Sequence, residues 1–300
     1  MTDITLSLAL ARPRRRVHRR AWHRIGIYGV LIAASIFFVL PLYVMVTTAL
    51  KTMPEIRGGS VLALPASVDL AAFVTAWSKA CIGATCDGIR IGFFNSVKIT
   101  VPSVALATIL GAIGGYTISF WRFRGADAVF GILLFGIFIP YQVFVFPLIR
   151  LTATLGLYGT VPGIVLIHVA FGLPVTTLMF RNYFATIPIE LFNAARVDGA
   201  GFWLIFRRIM LPLSAPMIVV SVIWQATASW NDYLFGLVFA GRNNQPMTTQ
   251  LQVLARSDTG APEYNVIMAA TLLTALVPLV IYFVSGKWFV RGIAAGAVKG

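Results

Sequence analysis

RNYFATIPIELFNAARVDGAGFWLIFRRIMLP, from Arg181 to Pro212, decides how this chain is read. Thr186 stands where a hydroxyl can cap a helix, and Pro188 and Glu190 follow in its first turn, where a fixed φ and an acid at the positive end of the dipole are both favoured. Gly199 is placed to end that helix. Between them Ile189, Phe192 and Ala195 fall near one face, and the small pair Ala194-Ala195 permits close approach by another protein. A second helix is expected after Gly201, running through Phe202, Ile205 and Phe206 without interruption into the apolar run that follows. A short amphipathic helix joined stiffly to such a run suits mechanical coupling; a helix merely resting among lipid headgroups fits the same local chemistry.

Outward from this segment the chain is a series of apolar runs. Upstream lie roughly Ile25 to Leu50, Phe94 to Ser119, Ala126 to Ile149 and Tyr158 to Phe180; Ile209 to Phe239 and Asn265 to Val290 follow. The first is too long for the apolar part of a signal peptide and long enough, at 1.5 Å per residue, to cross about 30 Å of hydrocarbon. The expectation is an all-α integral membrane protein of six transmembrane helices, since the runs are continuous where β-barrel strands would alternate. Composition agrees: 58% of the 300 residues are hydrophobic and 11% charged, against about 25% charged in soluble domains. A soluble enzyme, a disordered chain and a disulfide-framed secreted domain are thereby excluded.

The net charge of +14 takes its meaning from its location. Seven of the 24 Lys and Arg precede the first run, between Arg12 and Arg24, which points to a membrane headgroup surface rather than nucleic acid. With the N-terminus inside, the inner segments hold sixteen basic residues and the outer segments seven, so both termini are expected in the cytoplasm. The outer connection from Lys51 to Gly92 carries an aromatic stretch with Phe73 and Trp77, expected in the membrane interface, and the spaced pair Cys81 and Cys86. Facing an oxidising compartment that pair is a disulfide candidate, two reduced thiols being the alternative. Only Asp87 lies near enough to add a ligand, so no metal site is expected there.

The loop resembles that of the bacterial ABC importer permeases, whose cytoplasmic EAA motif reads EAA-x3-G-x9-I-x-LP. Asn193-Ala194-Ala195, Gly199, Ile209, Leu211 and Pro212 occupy it with matching spacing, and only the Glu departs, replaced by Asn193, which hydrogen-bonds but does not ionise. IPYQ at Ile139 to Gln142, WNDYLF at Trp230 to Phe235 and the closing KWFVRGIAAGAVKG are similar to the maltose-type, carbohydrate-uptake branch, and the aromatic, disulfide-capable outer loop with the short N-tail most resembles glucose/mannose-type systems. The resemblance implies a multi-pass subunit of the bacterial cytoplasmic (inner) membrane. Its partners would be a second permease subunit in a heterodimer, two ATPase subunits and an extracytoplasmic sugar-binding protein. It also implies that Glu190, Asn193, Ala194, Ala195, Asp198 and Gly199 couple to the ATPase, and that the Gly-rich tail from Ala294 to Gly300 reaches between the ATPase subunits. ATP and Mg would belong to that partner, with no cofactor bound by this chain: no G-x4-G-K-[ST] loop occurs, and Gly286-Lys287 is followed by Trp288.

Three regions follow: a basic cytoplasmic tail at 1–24, a six-span permease domain at 25–290 with its coupling loop at 181–208, and a cytoplasmic tail at 291–300. A translocation path for sugar needs polar groups for hydroxyls and aromatic faces for ring C–H surfaces, for which Tyr141, Gln142, His168, Trp224, Gln225, Trp230 and Asn231 are the candidates. An ion-coupled secondary transporter of a polar solute is the alternative. It would place acids within its spans, whereas Asp127, Glu190, Asp198 and Asp232 lie at edges or in loops, leaving His168 and Lys98. No paired carboxylates or nucleophile set converges on an enzyme site.

Overall fold

A computed structural model describes residues 15–121, 123–256 and 262–297. Its helices are α1 (Arg15–Ala49), α2 (Met53–Gly58), α3 (Ala71–Ser78), α4 (Arg90–Phe120), α5 (Ala126–Phe138), α6 (Val145–Thr154), α7 (Val161–Phe184), α8 (Ile189–Val197), α9 (Phe202–Ile205), α10 (Leu211–Leu213), α11 (Ala215–Asn231), α12 (Leu234–Phe239), α13 (Met247–Arg256) and α14 (Tyr264–Ala297). No named strand occurs among the described residues. Arg122, the tail before Arg15 and residues 298–300 lie outside the described residues, as do the side chains before Arg24 and after Gly286. The basic N-tail and the expected reach of the C-terminal tail fall there.

The centre is the pair α4 and α7, and glycine lets them touch. A Cβ at Gly115 would come within 2.7 Å of the Phe180 Cβ and of the Arg181 backbone, so the two axes approach at a distance only glycine permits. Thr176 Oγ1 donates to the Ala107 carbonyl at 3.0 Å across the same seam. Thr108 and Ser221 Oγ atoms, 3.2 Å apart, tie α4 to α11 in turn. Without water to drive association, close packing and such inter-helix bonds are what hold apolar helices together in lipid.

Four helices are long and apolar enough to cross a membrane: Arg24–Ala49, Arg90–Phe120, Val161–Phe184 and Tyr264–Gly286. The remaining two expected spans are broken. Ala126–Phe138 and Tyr141–Thr154 are bent by 99°, and Phe202–Leu213 and Ala215–Asn231 by 78°. Pro140 explains the first, because proline disfavours the helical conformation of the residue before it, and Ile139 is extended at φ −79°, ψ 125°. The second falls at Ser214 between Pro212 and Pro216, which lack the amides that would carry a helical ladder through the corner. The expected seamless passage from Gly201 into a span is thus corrected. A π-turn at Phe206–Met210 also interrupts it. The last helix continues to Ala297, past the expected boundary at 290.

The aromatic stretch of the outer connection, expected in the membrane interface, is turned inward instead. Phe73 and Trp77 of α3 pack onto a core with Ala49, Ile89, Trp230 and Ala270, and Trp77 meets Phe93 edge-on at 5.5 Å. Cys81 and Cys86 are bonded to one another, closing the turn between α3 and α4.

Candidate functional site

At the end of the molecule formed by the C-termini of α4 and α7, an aromatic cluster receives the short helix α8. Tyr116 and Phe184 are wholly buried there, with Phe120, Trp121, Phe192, Phe202 and Phe206 around them. Phe120 stacks on Phe192 at 5.1 Å between centroids, and Tyr116 meets Phe202 at 4.8 Å. Each such pair contributes about 0.5–1.5 kcal/mol beyond its buried area. The Arg196 guanidinium lies 4.9 Å from the Trp121 ring, a cation–π clasp across the outside of the cluster. Phe192 and Ala195 are the inward face of α8; its orientation is fixed by what they bury.

The ends of α8 are defined by backbone chemistry. Thr186 does not cap it. Its hydroxyl donates to the Tyr183 carbonyl at 2.7 Å, closing the end of α7, and Pro188 opens the new helix without a side-chain cap. At the other end Gly199 has φ +81°, its amide donates to the Arg196 carbonyl at 3.1 Å, and the Ala200 amide reaches the Ala195 carbonyl at 2.9 Å. These two bonds form a Schellman stop, which satisfies carbonyls that the helix leaves orphaned. Glu190, Asn193, Ala194, Asp198 and Gly199 are exposed. Ala195 is not; the small pair is split between two faces, Ala194 outward and Ala195 against the cluster. Ile189 also departs from the expected inward face and is 47% exposed. It borders a cleft of about 610 Å³ that includes Ser119, Asp127, Arg181 and Ile187.

The translocation candidates separate into two sets. Tyr141 and Gln142, at the break after α5, are exposed, as are Trp224 and Asn231. His168, Gln225 and Trp230 are buried inside the subunit rather than open to a passing solute. Gln225 Nε2 donates to the His168 carbonyl at 3.2 Å and fills the space beside Gly172. Trp230 Nε1 donates to the Thr274 carbonyl at 3.0 Å, fastening α11 to α14. In this conformation Gln225 and Trp230 tie helices together, and the His168 backbone carbonyl accepts one of those bonds. Phe235 brings several of the others together: Tyr141, Phe171 and His168 rings lie 5.2, 5.2 and 5.5 Å from it. His168 Nε2 is also 3.9 Å from Asp232 Oδ2, which accepts the Gly236 amide at 3.0 Å. Two helix breaks, after α5 and after α11, thus meet around one phenylalanine. Sequence reading missed Phe235 and the cluster on α4. The signal for the latter was present in Tyr116, Phe120 and Trp121, which recur at the spacing of one helix face.

Residues 107–295 match the model of the binding-protein-dependent transport system inner membrane component family. The chain belongs to that family. It is the membrane permease of an ABC importer, and the ion-coupled alternative falls away. The permease is 43% identical over 188 residues to a probable ABC transporter permease protein of Pyrococcus horikoshii, covering 62% of this chain and 68% of that one. It is 29% identical over 287 residues to the melibiose/raffinose/stachyose import permease of Bacillus subtilis, covering 95% and 100%. Among solved structures, a bacterial ABC transporter involved in import of the acidic polysaccharide alginate superposes with a TM-score of 0.78, at 20% identity, covering 93% of the permease and all of that chain.

Proposed function

We propose that this permease passes a sugar, a mono- or oligosaccharide with hexose favoured, from an extracytoplasmic binding protein into the cytoplasm at the expense of ATP hydrolysed on another chain. The observation that carries the reading is α8: a short helix anchored by Phe192 and Ala195 to the ends of two spans, stopped at Gly199, and presenting Glu190, Asn193, Ala194 and Asp198 outward. A rigid surface knob packed against the ends of membrane helices converts motion of a docked ATPase into motion of the spans. The assembly is a heterodimer with a second permease subunit, on two ATPase subunits that hold ATP and Mg, with this chain binding no cofactor.

In this reading each bent helix pair counts as one span, giving six with both termini inside, a permease domain at 25–290, the coupling loop at 181–208 and cytoplasmic tails at either end. The basic N-tail supports that orientation. The disulfide turn at Cys81 and Cys86 then faces the oxidising side. Non-helical backbone at membrane depth is tolerated only where protein or a water-filled cavity covers it, so the break at Ile139 and Pro140 belongs on the translocation path, with Tyr141 and Gln142 lining it and Asn231 beside it. Trp224, exposed on α11, joins that surface or the facing subunit. Sugar uptake into vesicles of the assembled complex tests the proposal: ATP inside the lumen facing the ATPase drives it, and an imposed proton or sodium gradient alone does not. Gradient-driven uptake without ATP would overturn it.

A further inference from the structure

We propose that the loop at residues 58–68 is a membrane contact in its own right, resting its apolar side chains in the lipid beside the end of α1; this rests on the reading of α1 as a span. The stretch GGSVLALPASV holds no charge, although Arg57 and Asp69 flank it. Val61, Leu62, Leu64 and Val68 are all exposed, Leu64 by 71%, a patch that water disfavours.

The loop does not project away from the membrane. The Tyr43 hydroxyl donates to the Leu62 carbonyl at 2.8 Å, and about 9 Å of helix rise separates Tyr43 from the end of α1 at Ala49. Because helix side chains lean toward the N-terminus, Tyr43 does not reach up to the loop; the loop comes down to Tyr43. There it meets apolar surface that continues along α1, where Leu42 and Val46 are exposed and Ser35, Ile36, Val39, Leu40 and Tyr43 line a shallow groove of about 340 Å³.

Its backbone is also prepared for an apolar setting. Lys51 Nζ donates to the Ser60 carbonyl at 3.2 Å, the Ala66 amide donates to Glu55 Oε1 at 2.7 Å, and the Ala63 amide donates to the Ser60 carbonyl at 3.1 Å. Polar groups satisfied from within lower the cost of lipid contact, and a tyrosine at the junction suits the interfacial layer. Lipid is the occupant favoured, because the loop lies down along the exposed apolar face of a membrane-spanning helix and continues it.

The test is site-directed spin labelling of the assembled complex in phosphatidylethanolamine/phosphatidylglycerol vesicles. Leu64→Cys, Phe37→Cys on α1 and Lys79→Cys on the exposed end of α3 are compared for nitroxide collision with oxygen and with a water-soluble nickel chelate. The Leu64→Cys label should favour oxygen, its accessibility ratio shifted toward that of Phe37→Cys and away from that of Lys79→Cys. Nickel access equal to Lys79→Cys would place the loop in water, and shielding from both reagents would place it under protein; either result overturns the proposal. If Phe37→Cys itself fails to favour oxygen, the reading of α1 as a lipid-facing span has failed instead.

Discussion

Gly199 is the residue at which conformation and the proposed coupling meet. No atom lies within 4 Å of a Cβ built there, so a side chain at this point meets no steric wall and its cost is conformational alone. At φ +81° a β-branched residue loses about 1–2 kcal/mol, while asparagine tolerates the left-handed region. Gly199→Val should raise ATP turnover per sugar transported in proteoliposomes, with Gly199→Asn close to the parent; normal coupling in the valine variant would make Gly199 an ordinary loop glycine. Gln225 and Asn231 separate packing from transport. Gln225→Ala leaves a gap beside Gly172 and strips the His168 carbonyl of a donor, so it should lower the thermal unfolding temperature of the complex by an amount corresponding to about 1–3 kcal/mol. Asn231→Ala, at an exposed position, should leave that temperature unchanged and alter uptake kinetics at matched expression. Altered stability for Asn231→Ala alone would reverse the assignments.

At the scale of elements, the seam between α4 and α7 and the aromatic socket of α8 form one continuous packed unit, which the proposed coupling would use as a lever. A Cβ at Gly115 runs into Phe180 and the Arg181 backbone, so Gly115→Val should destabilise the fold by about 1–3 kcal/mol, whereas Gly131→Val, on open surface of α5, should not. Denaturation of the two purified variants in the same detergent decides it; equal stability would mean that the helices part easily. The limits of α8 were legible because proline and glycine act locally: Pro188 opens it and Gly199 stops it from within four residues' reach. The corner at Ser214 was not, although Pro212 and Pro216 were in plain view, because proline inside a membrane helix is compatible with a straight or a bent path and tertiary packing chooses between them. The burial of Gln225, His168 and Trp230 was not legible either. A polar or amphipathic side chain in an apolar run signals that it needs a partner, and nothing in one chain's sequence says whether that partner is a carbonyl of its own bundle or a sugar.

For the whole molecule, α8 is the proposed joint through which an ATPase on one side of the membrane moves a sugar path within it. The most direct measurement is site-specific cross-linking in the assembled complex, using Ala194→Cys, Ala195→Cys and Val61→Cys with a short bifunctional thiol–amine reagent. Ala194 is exposed on α8, Ala195 is turned into the aromatic cluster, and Val61 is exposed near the opposite end of the first span. Ala194→Cys should give a product with the ATPase subunit, Ala195→Cys little or none, and Val61→Cys none. An ATPase product from Val61→Cys, or none from Ala194→Cys in a complex that still transports, would contradict the proposed joint.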